Sequence, residues 1–160
     1  MPGINASRIL SIFLILGGIP PMLSGLIAMI SAGTYLGFLG SGVSSMYSPD
    51  QVGLLEITWN LQGGDAFVAG SARVAVALIG SDAIKCVLAA IGIGHSLFEL
   101  WLLPSKLITW CHDTPGVQSG SVFDIGVWFF IVLHVLLVLG FTWGLILKYR
   151  ESSQSTRLQS

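Results

Sequence analysis

Charge is what this chain has least of: 9% of its 160 residues are charged, against roughly 25% in ordinary soluble domains. Seven basic and eight acidic residues leave a net charge of -1. The basic residues do not cluster, so the electrostatic footprint of a nucleic-acid binder is missing and no nucleic-acid role is expected. Cysteine is as scarce. Cys86 and Cys111 are the only two and lack CxxC spacing, which argues against a disulfide framework or a structural zinc site. Gly63-Gly64-Asp65 has no strand before it and lacks the spacing of a phosphate loop, so no nucleotide site is inferred. An internal repeat that would signal an inverted-repeat transporter is also missing.

What is abundant is apolar surface: 53% of the residues are hydrophobic, more than a soluble fold of this size can hide. They fall into uninterrupted runs rather than alternating patterns, which is the mark of lipid as solvent. The expected fold is all-α, a polytopic membrane protein built as a four-transmembrane-helix bundle in one domain over residues 1–150.

The first apolar run covers about residues 9–39. It is longer than a ~30 Å hydrocarbon core requires at about 1.5 Å per residue. Pro20-Pro21 predicts a kink, or a fresh helix start that makes residues 9–18 a lead-in. Arg8 followed by Ile9 to Leu16 also resembles the start of a cleaved signal. Residues 41–58 read as an extramembrane loop around Ser48-Pro49-Asp50, with a short interfacial segment at Leu54 to Trp59.

From Asn60 to Leu103 the chain is apolar for about twice the length of one crossing, so it must turn. Gly80-Ser81-Asp82 is the best break, with Gly ending one helix and Ser81 or Asp82 capping the next. Spans are therefore expected at 60–80 and 82–103. Residues 104–121 read as a loop, and a last span at 122–147 ends on the interfacial anchor Lys148-Tyr149-Arg150. Residues 151–160 read as a polar, disordered tail. Arg8, Lys85, Lys148, Arg150 and Arg157 then share one side with only Lys106 on the other, which predicts cytoplasmic termini.

Ionisable residues inside a span cost about 2.5 to 3.5 kcal/mol each at the centre and invite a functional reading. Here they gather in the middle hairpin: Asp65, Arg73, Asp82, Lys85, His95 and Glu99. On a helical wheel Asp82, Lys85, His95 and Glu99 share one face within roughly 140°. Asp82 and Lys85 can pair across one turn, although a helix cap and a snorkelling lysine explain them equally. Arg73, about seven residues from the end of its span, can snorkel, but a partner such as Asp82 or Glu99 suits its planar donor fork better. His95 and His134 fall near the same depth, about 14 Å from the same boundary, with Glu99 one turn from His95. That trio suits proton transfer to a bound hydrophobic molecule better than it suits a metal. Interhelical hydrogen bonding of buried imidazoles is the plain alternative. Catalytic candidates are thus His95, Glu99 and His134, and binding candidates Arg73, Asp82 and Lys85. No cofactor is specified. Cys86 and Cys111, about 25 Å of bilayer apart, should not bridge.

The stretch Asn60-Leu61-Gln62-Gly63-Gly64-Asp65-Ala66-Phe67-Val68-Ala69-Gly70-Ser71-Ala72-Arg73, the apolar return to Gly94-His95 and a fourth span together resemble the small four-helix DoxX-like membrane proteins. The resemblance covers about residues 60–103. It implies four helices and, from links of some members to quinone-coupled oxidation, a redox setting; no catalytic motif carries over. The size is also similar to small four-span enzymes of secondary metabolism and sterol-type isomerases, whose acidic and aromatic motifs are not found here. Two functions remain open: a protein that binds a quinone-, polyketide- or terpenoid-like molecule and serves as a biosynthetic or redox accessory enzyme, or a non-enzymatic tetraspan scaffold, assembly or export protein. The partners expected are the lipid bilayer, a small hydrophobic ligand, and a second copy or another membrane protein.

Overall fold

A computed structural model describes residues 5–31, 49–102, 105 and 121–157. They form four helices in chain order: α1 (Ala6–Ile30), α2 (Pro49–Ile79), α3 (Asp82–Leu102) and α4 (Ser121–Arg157). Three of them, α1, α3 and Trp128–Ser155 of α4, are long and apolar enough to cross a membrane. The expectation of four such spans is therefore met in part. α2 is long enough, but Gln62, Asp65, Arg73 and a run of small residues keep its apolarity below that of the other three.

α1 starts where Asn5 caps it: the Asn5 side chain accepts the Ser7 backbone N–H at 2.8 Å, and the Asn5 backbone is extended. Of the two expectations at the proline pair, a kink or a fresh start, the fresh start is not found: the helix runs unbroken through Pro20 and Pro21 and ends at Ile30. Residues 32–39, assigned to the same run, lie outside the described residues, as do residues 41–48, most of residues 104–121, and Cys111. Cys86 is a free thiol. Residues 49–58, expected as a loop, open α2 instead. Pro49 and Asp50, taken as turn residues, equally suit the first turn of a helix, where a missing N–H costs nothing and a carboxylate favours the dipole. The break at Gly80-Ser81 is found where expected: the Gly80 N–H closes α2 on Val76, and Ser81 receives the Ile84 and Lys85 N–H groups to open α3. Residues 151–157, expected as a disordered tail, continue α4 as helix. Ser152, Ser153 and Ser155 donate their hydroxyls to carbonyls three or four residues back, so polar composition here does not free the chain from the helix.

The helices run up, down, up and down. α1 and α2 meet as an antiparallel pair through glycines seven residues apart on each, Gly18 opposite Gly70 and Gly25 opposite Gly63. A Cβ on Gly18 would lie 2.8 Å from the Gly70 carbonyl oxygen, and one on Gly70 would lie 2.6 Å from the Met22 nitrogen. Only glycine permits backbones this close. α1 meets α4 through Gly17 and Gly144 on opposite partners, with Phe13 against Gly140 and Leu10 against Gly144. Phe141 fills the space left by Gly92 on α3 and stands edge-on to Phe13 at 6.2 Å. Leu10, Leu14, Ala77, Ala89, Leu137 and Phe141 form the buried core.

That core is thin. Only 22% to 28% of the most apolar windows of α1, α3 and α4 is buried. Outward rows such as Ile12, Leu16, Ile19, Leu23 on α1 and Ile84, Val87, Ile91, Phe98 on α3 face away from the protein. Rows at three- and four-residue spacing are what a bilayer would cover.

Candidate functional site

The polar side chains separate into two levels. At the end that holds the start of α1 and the finish of α4, Lys148 forms an ion pair with Asp82 at 2.5 Å and approaches Glu151 at 3.6 Å. Glu151 also accepts the Ala6 N–H at 3.0 Å, and Lys85 donates to the Ser7 hydroxyl at 3.2 Å. Asp82 therefore takes its partner from α4, the next helix along the chain, and not from the local Lys85 pairing that the sequence suggested. The reason is reach: the antiparallel neighbour brings Lys148 level with Asp82, whereas Lys85 points back to α1. These contacts close three helix ends onto one another and leave Asp82 and Lys85 far from the histidines. His95 is thirteen residues along α3 from Asp82, about 20 Å.

The second level lies that far into the bundle. His95 on α3 and His134 on α4 have ring centroids 6.0 Å apart, at matching distances from the Asp82–Lys148 pair, so one antiparallel register explains both contacts. The expected meeting of the two rings is found. His134 Nδ1 is 2.7 Å from the Phe130 carbonyl oxygen, one turn back on its own helix. A carbonyl can only accept, so Nδ1 carries the proton and the neutral ring keeps its lone pair on Nε2. Glu99 stands one turn from His95 on α3. His95 and His134 are thus brought together, with Glu99 one turn along the same helix; Asp82 and Lys85 are not. Among the described residues no group of three or more His, Cys, Asp and Glu side chains is arranged to hold a metal ion.

Arg73 does not take the carboxylate partner expected of it. Its Nη1 donates to the Gly17 carbonyl at 2.9 Å. Pro21, four residues after Gly17, has no N–H to give that carbonyl, and a neighbouring helix supplies the donor instead. The sequence held the signal, a proline four residues after a glycine, but not which helix would answer it. A double-mutant cycle tests this. Arg73→Leu is expected to destabilise the protein in detergent by about 1 to 3 kcal/mol, the cost of an unmet buried acceptor. In a Pro21→Ala background, where the ladder bond returns, most of that cost should vanish. Equal costs in both backgrounds would show that Arg73 stabilises by another route.

No family model, curated protein or solved structure matches this chain.

Proposed function

We propose that this is a four-span membrane protein that binds a small hydrophobic molecule between its helices and exchanges a proton with it. The observation that supports this most is the approach of His95 to His134 on two apolar helices long enough to cross a bilayer, where ionisable groups are costly and so invite a functional reading. His134, with Nδ1 occupied by the Phe130 carbonyl, offers Nε2 as the base. His95, with Glu99 one turn away on the same helix, is the group that would pass a proton on. A quinone, polyketide or terpenoid type of molecule suits such a site, in a biosynthetic or redox accessory role, and the DoxX-like resemblance belongs to this same proposal. Mass spectrometry of small molecules that co-purify in mild detergent tests it. A recurring lipophilic compound that is lost from the His134→Ala protein supports the reading, and a preparation carrying only bulk lipid counts against it.

α2 is taken as the fourth span because it lies along α1 from Gly63 to Ala77, with Ser11 donating to the Ala77 carbonyl at 2.8 Å. A helix carried so closely beside an apolar crossing helix shares its depth. With both termini on the cytoplasmic side, reporters placed after Arg150 and within residues 41–48 should register opposite faces of the membrane. Matching faces would remove the four-span arrangement.

A second reading, a non-enzymatic scaffold or assembly protein, draws support from Arg73, Asp82 and Lys85, each of which has a partner that serves helix packing. It leaves the mid-bilayer histidines and Glu99 without a purpose beyond hydrogen bonding.

A further inference from the structure

α2 has two long faces of different kinds. One packs on α1 through Gly63 and Gly70. The other is exposed and carries Thr58, Gln62, Asp65, Ala69 and Ala72, spaced by four, three, four and three residues. That alternation draws one continuous stripe along a helix, the seam on which two parallel helices pack in a left-handed crossing. The outward rows of α1 and α3 are built differently, from large aliphatic side chains such as Ile12, Leu16, Ile84 and Val87.

Lipid does not account for the α2 stripe. Asp65 lies between Gly63 and Phe67, both of which a Cβ on Gly25 would strike, so it stands level with Gly25 of α1, inside an apolar crossing helix. A carboxyl at such a level almost always turns toward protein or a water-filled cavity. Among the described residues neither Asp65 nor Gln62 has a hydrogen-bond or ion-pair partner. The two are one turn apart and complementary, an amide that donates and a carboxyl that accepts. Farther along the stripe, Ala69 and Ala72 leave room for a second backbone.

We propose that this stripe is a dimer interface, on which α2 of one copy packs in parallel against α2 of a second copy across a two-fold axis along the membrane normal. Two identical chains inserted in the same sense hold each residue at the same depth, so the axis brings Gln62 of each copy beside Asp65 of the other. The match is reciprocal. Each Asp65 accepts an N–H from the other copy's Gln62, and these donated bonds offset the repulsion between the two carboxyls. A different partner would have to supply its own donor at this level, whereas a second copy carries one already. The parallel arrangement requires α2 to be the fourth span, which the reporter fusions test separately, and it needs no ligand.

Oxidative crosslinking of the full chain in membranes tests the interface. In a Cys86→Ala, Cys111→Ala background, Ala69→Cys and Ala72→Cys are expected to give disulfide-linked dimers, because seam positions approach their own copies closely enough for a bridge. Val87→Cys, on the outward row of α3, should stay monomeric. Absence of crosslinks at both α2 positions, or equal crosslinking at Val87→Cys, overturns the interface; with reporters on opposite faces, the same result leaves the four-span reading standing. The monomer–dimer equilibrium in mild detergent is the second measurement. Gln62→Leu removes two interhelical hydrogen bonds and should weaken dimerisation by about tenfold. Ala72→Leu should leave only monomer with an unaltered or higher thermal midpoint, since leucine suits a face that meets lipid. If the parent chain is monomeric at every concentration, or both variants dimerise as the parent does, the stripe is covered by lipid, by another part of the chain or by a different protein, and the proposal falls.

Discussion

Replacing Gly70 with leucine is expected to abolish the folded protein in mild detergent, while the same change at Gly94 leaves it intact. At Gly70 even the first added carbon would lie 2.6 Å from the Met22 backbone nitrogen and 2.9 Å from the Met22 Cβ. The opposing atoms belong to backbone and cannot swing away, so α1 and α2 would have to separate along the whole seam. Separation also takes the Gly17 carbonyl from Arg73 and the Ala77 carbonyl from Ser11. Overpacking alone costs about 1 to 3 kcal/mol, and two lost interhelical hydrogen bonds add about 0.6 kcal/mol each on average. At Gly94 nothing lies within 4 Å of the added carbon. Size-exclusion profiles and thermal aggregation midpoints of the two variants read the contrast directly. A Gly70→Leu protein as stable as the parent would mean that the close α1–α2 approach does not exist in the membrane.

The histidine site should respond in the opposite way, by losing function and keeping its fold. His134→Ala or Glu99→Gln is expected to eliminate retention of the co-purifying molecule, or any activity on it, while the protein remains monodisperse. Among the described residues His134 reaches the Phe130 carbonyl of its own helix and the rings of His95 and Phe130. Its removal therefore deprives the fold of little. If the histidines serve packing alone, the same variants should cost about 0.6 to 2 kcal/mol of stability and leave ligand content unchanged. Measuring ligand content and thermal midpoint on one preparation separates the two. A stability loss with unaltered ligand would remove His134 from the proposed proton path.

Depth was readable without the structure wherever two residues could be counted from a common boundary. His95 and His134 came together on that reasoning because each lies a known number of residues from the same edge and an α-helix rises about 1.5 Å per residue. The same count applied at the other edge would have paired Asp82 with Lys148; the local spacing of Asp82 and Lys85 obscured it. Rotation about each helix axis was not readable in this way. In a soluble helix the polar face and the apolar face declare themselves, but here both the core and the lipid ask for apolar residues, so the pattern of hydrophobicity does not say which side turns inward.

Composition and run length by themselves determined that this is an all-helical chain suited to a membrane, where its turn at Gly80-Ser81 falls, and which ionisable residues lie at depth. Only the tertiary structure decided what those residues touch. It decided that Pro20 and Pro21 stay inside one helix, because Arg73 from α2 supplies a donor to the carbonyl that Pro21 leaves unmet. It decided that glycines seven apart on each helix form the α1–α2 contact. And it decided that α2, adjacent in sequence to α3, packs chiefly against α1. Each of these depends on which helix lies beside which, a choice set by shape complementarity between surfaces of nearly identical chemistry, and shape is what a hydrophobicity pattern does not carry.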